Sequence, residues 1–422
     1  MPTITIRNFG PIKDVTIPIK KYNIFIGSSG TGKSTLSKVI CNAQWLEKEL
    51  VVSKERRPNQ ENIDWYVKQL SNYHNLNKYI QTDSYIQYSG DFLSFVFDNA
   101  NSYERFSYEI KRNLLDFRRR KTLYVPAERS MVSVIPNWFE IKLPQNNLRG
   151  FLSSWEDARM FFTKENPLLL SLFNAKYFTS DNGALDIISF FDGKEMLLGE
   201  VASGVQASVP LLLLIKYYSS PERVMRLTSI SERLDFSDLI DCMEASADNL
   251  EPASTGNEGG GEFSWNFGPV MLHFKGKEAE FYKAQLQNLI TIRGTSFFIE
   301  EPELNLFPQL QYQLFSEIVR EINKEKDNAL TITTHSPYIL AFISNYIYAH
   351  HLQNSMNIDV QDILPTELMI DTKDVSAYLL VDGTASSLLT DPAFGIEIKD
   401  LDVVSEEVNT IWEKLLDREL KQ

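Results

Sequence analysis

"NIFIGSSGTGKSTLSKVI", residues 23–40, decides how the rest of the chain is read. Asn23 to Ile26 is a short apolar run of the buried-strand type. It leads into Gly27-Ser28-Ser29-Gly30-Thr31-Gly32-Lys33-Ser34, which fits the Walker A pattern G-x-x-x-x-G-K-[ST]. From Thr35 onward the apolar residues recur at helical spacing. Strand, glycine loop and helix form the context in which this pattern becomes a phosphate cradle. Glycines let backbone N–H groups curl inward, and those groups attract anions together with the helix N-terminus. Lys33 brings a point charge to the β- and γ-phosphates, and the Ser34 hydroxyl is suited to ligating Mg²⁺. The expected ligands are therefore ATP and Mg²⁺.

Three further segments agree. "TSFFIEEPELNLFP", residues 295–308, holds an apolar strand that ends in Glu300 and Glu301. At a strand end the backbone turns, so both acids can face the phosphates. Glu300 is expected to hold the metal through water and Glu301 to polarise the attacking water. "ALTITTHSPYIL", residues 329–340, is a β-branched strand followed by His335, a candidate sensor of the γ-phosphate. "GEVASGVQASVPLLLLIKYY", residues 199–218, places Ser203-Gly204-Val205-Gln206 before an apolar helical run. Ser203 with Gln206 fits a capping box. The same helix N-terminus could instead serve a phosphate held by a second subunit.

Together these segments resemble the ABC-type ATPases, and among them the single-chain bacterial AAA-family ATPases related to RecF, SMC and OLD proteins. "TITIRNFGPIKDVTIPI" is similar to their opening strand pair and "ASGVQ" to their LSGGQ signature. "IEEPELNLFP" resembles their Walker B with its EPELHLHP tail, and "TTHSPYIL" their switch-histidine loop. "LYVPAERS", residues 123–130, resembles a segment near their Q-loop. Some positions depart from the pattern. Glu300 stands where Asp is commoner, Val205 replaces a signature glycine, and Asn305 and Phe307 replace frequent histidines.

The resemblance implies an α/β P-loop NTPase of ABC type, with a mixed-sheet core and a helical lobe. It implies nucleotide contacts from Gly27, Ser28, Ser29, Gly30, Thr31, Gly32, Lys33, Ser34 and Thr35. Ser203, Gly204 and Gln206 would act across a homodimer or higher homo-oligomer. Glu128 or Arg129 would reach the site or couple it to the helical lobe. Lys33, Glu301 and His335 would be the catalytic set, with Ser34 and Glu300 on the metal.

Composition bounds the remaining possibilities. The chain has 422 residues, 43% of them hydrophobic, which suffices for a sizeable core. Its longest apolar runs are far shorter than a membrane span, and the N-terminus reads as a strand rather than a signal peptide. Two distant cysteines, Cys41 and Cys242, offer no disulfide framework. These features fit a cytoplasmic protein without a membrane partner. A net charge of −14 argues against a DNA-coating surface. The one basic run, "DFRRRK" at 116–121, reads as a solvated face or as a nucleic-acid contact.

Along the chain, residues 1–50 and 290–345 read as the nucleotide-binding core of a head spanning 1–345. Residues from about 55 to 200 read as a mostly helical lobe that ends in a hairpin turning at Asp192-Gly193. Residues 219–295 read as an insertion with a strand pair near Phe263–Phe274 and a helix over 278–289. Residues 346–422 read as a segment packing on the head and ending in an acidic helix. No heptad run suggests coiled-coil arms, and no TOPRIM-like nuclease pattern is convincing. Two functions follow from this reading: an ATP-driven switch that gates a separate protein effector, a nuclease or toxin in antiphage defence, or a RecF-like DNA-repair ATPase.

Overall fold

The computed structural model describes residues 1–52, 63–100, 105–111, 117–135, 142–180, 183–221, 262–267, 270–275, 292–391 and 395–396. The helix expected over 278–289 and the acidic terminal helix lie outside these residues.

The chain opens with an antiparallel pair, β1 (Thr3–Phe9) and β2 (Ile12–Pro18). Next comes β3 (Tyr22–Ile26), buried along its whole length. Beyond the glycine loop runs α1 (Lys33–Val52), followed by α2 (Ile63–His74). Then come β4 (Ile80–Ser89), β5 (Leu93–Asp98), β6 (Arg105–Ile110) and β7 (Arg120–Val125). Short α3 (Met131–Val134) and α4 (Asn147–Arg159) precede β8 (Leu168–Leu170), β9 (Ala175–Ser180), β10 (Leu185–Phe190) and β11 (Glu195–Leu197). α5 (Ser203–Tyr218) follows, then the pair β12 (Glu262–Phe267) and β13 (Val270–Lys275). The chain continues through β14 (Gly294–Glu300), α6 (Pro308–Asn323), β15 (Ala329–Thr334), α7 (Pro337–Ser355), β16 (Val375–Val381) and β17 (Thr384–Ser387).

Among the described residues eleven strands form one mixed sheet, in the order β6-β5-β4-β1-β2-β17-β16-β3-β15-β14-β7. The half from β16 to β7 is parallel, and the half from β6 to β2 is antiparallel. Parallel strands are covered on both faces, so they read as continuous apolar runs. β3, β14 and β15 are indeed buried at every position. Side chains alternate between two cores, as the period of two requires. Ile24, Leu123, Val125, Phe297 and Ile299 face a core shared with α4 to α7. Phe25, Tyr124 and Phe298 face the core that holds α1 and α2. Helix α5 lies within the first core, with Val209 and Leu211 to Ile215 all buried. A helix apolar on every side needs such a position.

Two expectations about organisation are corrected. The described part of 55–200 is not mostly helical, since it contains eight strands beside α2, α3 and α4. β4 to β6 extend the antiparallel wing, and β8 to β11 form a separate four-stranded sheet. The reason is the aromatic alternation: in β5, Leu93, Phe95 and Phe97 point inward while their neighbours are half-exposed. Tyr66 of α2 stacks on Phe106 of β6 with ring centroids 4.5 Å apart. The segment after 346 does not simply pack on the head either. It supplies β16 and β17 to the middle of the main sheet, with β16 parallel to β3.

The Asp192-Gly193 turn does close the β10–β11 hairpin, with Gly193 at φ 90°. The expected strand pair in the insertion is β12 and β13, antiparallel from Glu262↔Lys275 to Phe267↔Val270.

Candidate nucleotide site

The strand ends β3, β15 and β14 lie side by side, in the register Ile26↔Thr334 and Glu300↔Thr333. This brings three of the four sequence segments to one edge of the parallel core.

At the end of β3, Gly27 has φ 153°, and a Cβ on it would lie 2.4 Å from the Leu380 carbonyl oxygen of β16. The C-terminal strand thus walls the glycine loop and leaves room only for glycine. The Thr31 hydroxyl donates to Ser28 O at 2.9 Å. Lys33 Nζ donates to Gly27 O and Ser28 O, both at 2.9 Å, and folds its side chain over the loop. Burial lowers the Lys33 ammonium below its ordinary pKa, while the charges of Glu301 and Glu303 oppose that shift. Ser34 and Thr35 sit in the first turn of α1, whose Leu36 N–H bonds to Gly32 O.

Glu300 is nearly buried at the end of β14. Its Oε1 accepts the Tyr124 hydroxyl at 2.6 Å, and its Oε2 accepts the Ala127 N–H at 3.3 Å. Lys38 Nζ, one helical turn beyond Ser34, stands 3.8 Å from Oε1. A carboxylate offers roughly four lone-pair positions, so these donors leave acceptor capacity for a metal-bound water. Among the described residues no three His, Cys, Asp or Glu side chains form a metal cluster by themselves. One hydroxyl (Ser34) and one carboxylate (Glu300) are the donor types that suit Mg²⁺, an ion that usually keeps several waters.

Glu301 takes φ 45°, a left-handed residue that turns the chain at the end of β14. Its N–H bonds to Thr333 O at 2.8 Å. Its carboxylate lies 3.6 Å from His335 Nε2, and both side chains are about one-third exposed. His335 stands one residue past β15, as expected.

The remaining candidates need revision. Ser203 does not cap α5. It is the first helical residue, Ala202 is the cap, and no side chain bonds there. Gln206 is not the return arm of a capping box either. Its Nε2 donates to Gly199 O and Val201 O, which shapes the turn that leads into α5. Gly204 packs against the segment after the acids: a Cβ would meet Asn305 O at 2.9 Å. Asn305 itself has φ 61°, a conformation that asparagine tolerates.

Arg129 is fully buried, with its guanidinium directed at backbone carbonyls. Its Nε donates to Ala207 O of α5 at 2.9 Å, and its Nη1 and Nη2 donate to Glu300 O and Glu301 O at 2.7 Å each. Burial lowers its pKa to about 10, against the pull of Glu303, Glu301 and Glu300. It stays charged at neutral pH and fastens α5 to the acidic turn. Glu128 is exposed.

Sequence reasoning missed Glu303, Tyr124 and Lys38. Glu303 was visible as the third acid of "EEPE". Tyr124 and Lys38 gave no local signal, because only the sheet and α1 bring them to Glu300. The basic run lies at the start of β7. Arg118 and Arg120 lean on Asp327 at 2.8 and 3.5 Å, Lys121 sits 4.8 Å above the Tyr218 ring, and Arg119 is buried.

The mixed sheet with a glycine loop between β3 and α1 defines a P-loop NTPase fold. Residues 272–340 match a family model described as an AAA ATPase domain. Structural likenesses include the SMC head domain from Thermotoga maritima, at 10% identity over 91% of this chain and 97% of that one, with a TM-score of 0.35. The recombination mediator RecF matches at 11% identity over 92% and 97%, with a TM-score of 0.27. An ATP-binding cassette of an ABC transporter matches at 11% over 98% and 99%, with a TM-score of 0.29. No curated protein sequence matches the chain. No helix among the described residues is long and apolar enough to cross a membrane.

Proposed function

We propose that the chain is an ATPase switch that clamps ATP between two copies of itself and lets them part on hydrolysis. The observation that carries this reading is the shared edge where the glycine loop, Glu300, Glu301 and His335 meet. In this reading Gly27 to Thr35 wrap the phosphates and Lys33 turns from the loop carbonyls to the β- and γ-phosphates. Ser34 and Glu300 would hold Mg²⁺, which when bound neutralises charge on the phosphate oxygens. Glu301 accepts a proton from the attacking water, and His335 donates toward the γ-phosphate.

The second copy brings Ser203 and Gly204 at the N-terminus of α5, where N–H groups and the helix dipole favour anionic charge. Closure then depends on the γ-phosphate. The output in this reading is the gating of a separate nuclease or toxin in bacterial antiphage defence, as the resemblance suggests. The DNA-repair alternative rests on the 116–121 run, in which Arg118 and Arg120 pair with Asp327 and Lys121 lies over the Tyr218 ring.

Glu301→Gln tests the chemistry. Turnover should fall by roughly 10²- to 10⁴-fold, with ATP affinity kept and a dimer accumulating in ATP. Normal turnover in this variant would refute the assignment.

A further inference from the structure

A hydrogen-bonded clamp joins the acidic turn to the histidine segment. Glu303 Oε1 accepts the Thr334 hydroxyl at 2.8 Å and the His335 N–H at 2.7 Å. Thr334 Oγ1 in turn accepts the Ser336 N–H at 2.9 Å, and the Ser336 hydroxyl donates to Gln311 of α6 at 2.7 Å. Residues 334–336 are therefore fastened on both sides. Glu303 belongs to the same tight turn as Glu301, closed by Leu304 N–H to Glu301 O at 3.1 Å and Leu306 N–H to Glu303 O at 3.0 Å. The other oxygen, Oε2, is buried without a protein donor. A buried carboxylate oxygen in that state is costly, so this acid has a stronger reason to be there than solubility.

We propose that Glu303 is a positioning residue for hydrolysis: it locks His335 to the turn that carries Glu301, so that both move as one unit. One oxygen accepting two donors sets the height and direction of the His335 backbone. Since Glu301 and Glu303 share a turn, any shift of the acidic turn on γ-phosphate loss pulls the histidine with it. This inference rests on the reading of His335 as a γ-phosphate contact.

A double-mutant cycle tests it, because residues that act through one another are not additive. Turnover, binding of a fluorescent ATP analogue and melting temperature are measured for Glu303→Ala, Glu303→Gln, His335→Ala and the Glu303→Ala/His335→Ala pair. Glu303→Ala should lower kcat by at least about tenfold, as small misplacements of catalytic groups do, with analogue affinity within about threefold. Glu303→Gln keeps an oxygen that can accept both donors and should restore most of the rate. The pair should be no slower than His335→Ala alone.

Additive losses, or a Gln variant as slow as the Ala variant, would overturn the inference while leaving the histidine's role intact. His335→Ala with full activity would instead sink the underlying reading. If Glu303→Ala fails to fold, Thr334→Val removes one of the two donors and should give a smaller kcat loss of the same kind; an unchanged kcat would overturn the clamp.

Discussion

Arg129 Nε donates to the carbonyl of Ala207 at 2.9 Å and so binds α5 to the acidic turn of its own chain. The guanidinium is fully buried and reaches three separate carbonyls at 2.7–2.9 Å. Arg129→Ala leaves those carbonyls without their donor, at a cost of about 3 kcal/mol or more. Arg129→Lys keeps the charge but cannot span the fork. Urea denaturation should show a lowered midpoint for both variants, less so for lysine. Turnover should fall at least about tenfold in both. A lysine variant with normal turnover would mean that the link between α5 and Glu301 is only structural.

Tyr124 holds the Glu300 carboxylate, the group proposed above to serve the metal. Its hydroxyl bond to Glu300 Oε1 is 2.6 Å long, and Lys38 waits 3.8 Å from the same oxygen. Tyr124→Phe removes a hydrogen bond to a charged group, worth about 1.5–3 kcal/mol. Glu300 should then turn toward Lys38, and the Mg²⁺ concentration for half-maximal turnover should rise roughly 10- to 100-fold, in line with that energy. An unchanged Mg²⁺ dependence would show that Glu300 does not serve the metal.

His74 makes the fold sensitive to acid. It is buried on α2 beside the Tyr124 ring, with centroids 5.4 Å apart, and its Nδ1 has no partner. Burial, helped by Lys38, lowers its pKa to about 3, while the unfolded chain titrates near 6.5. Between those values the unfolded state takes up a proton that the folded state refuses. Stability contributed by neutral His74 is thus complete above pH 6.5 and is lost as pH falls toward 3. The slope approaches about 1.4 kcal/mol per pH unit from this group. His74→Leu should flatten the acid limb of a stability–pH curve measured by urea titration between pH 7.5 and 4.5. An unaltered limb would mean that other groups dominate.

The legibility of this fold follows from the range of the interactions. The parallel core could be read because Asn23–Ile26, Phe297–Ile299 and Leu330–Thr333 are continuous buried runs flanked by chemistry-bearing ends. The antiparallel wing is readable in the alternation of Leu93, Phe95 and Phe97, but the aromatic density around it also reads as a helical lobe. The position of β16 beside β3 depends on a pairing across more than 350 residues, Val375↔Tyr22, and nothing local encodes it. Within the site, the placement of Lys33, Glu301 and His335 at neighbouring strand ends was legible. Tyr124 and Glu303 act through partners supplied by other strands and helices, so their contacts emerge only from the packed structure, as do the carbonyl partners of Arg129.

If each nucleotide site is built from two copies of the chain, copies damaged in different halves of the site should complement one another. Lys33→Ala disables the glycine loop and Ser203→Arg blocks the α5 N-terminus; each variant alone should be nearly inactive. Mixed one to one, half the pairs would combine an intact loop from one copy with an intact α5 from the other. Activity should return to roughly a quarter of the unaltered protein's, if pairing is statistical in a two-fold dimer. A mixture that stays as inactive as its components would mean that the site is not shared between copies.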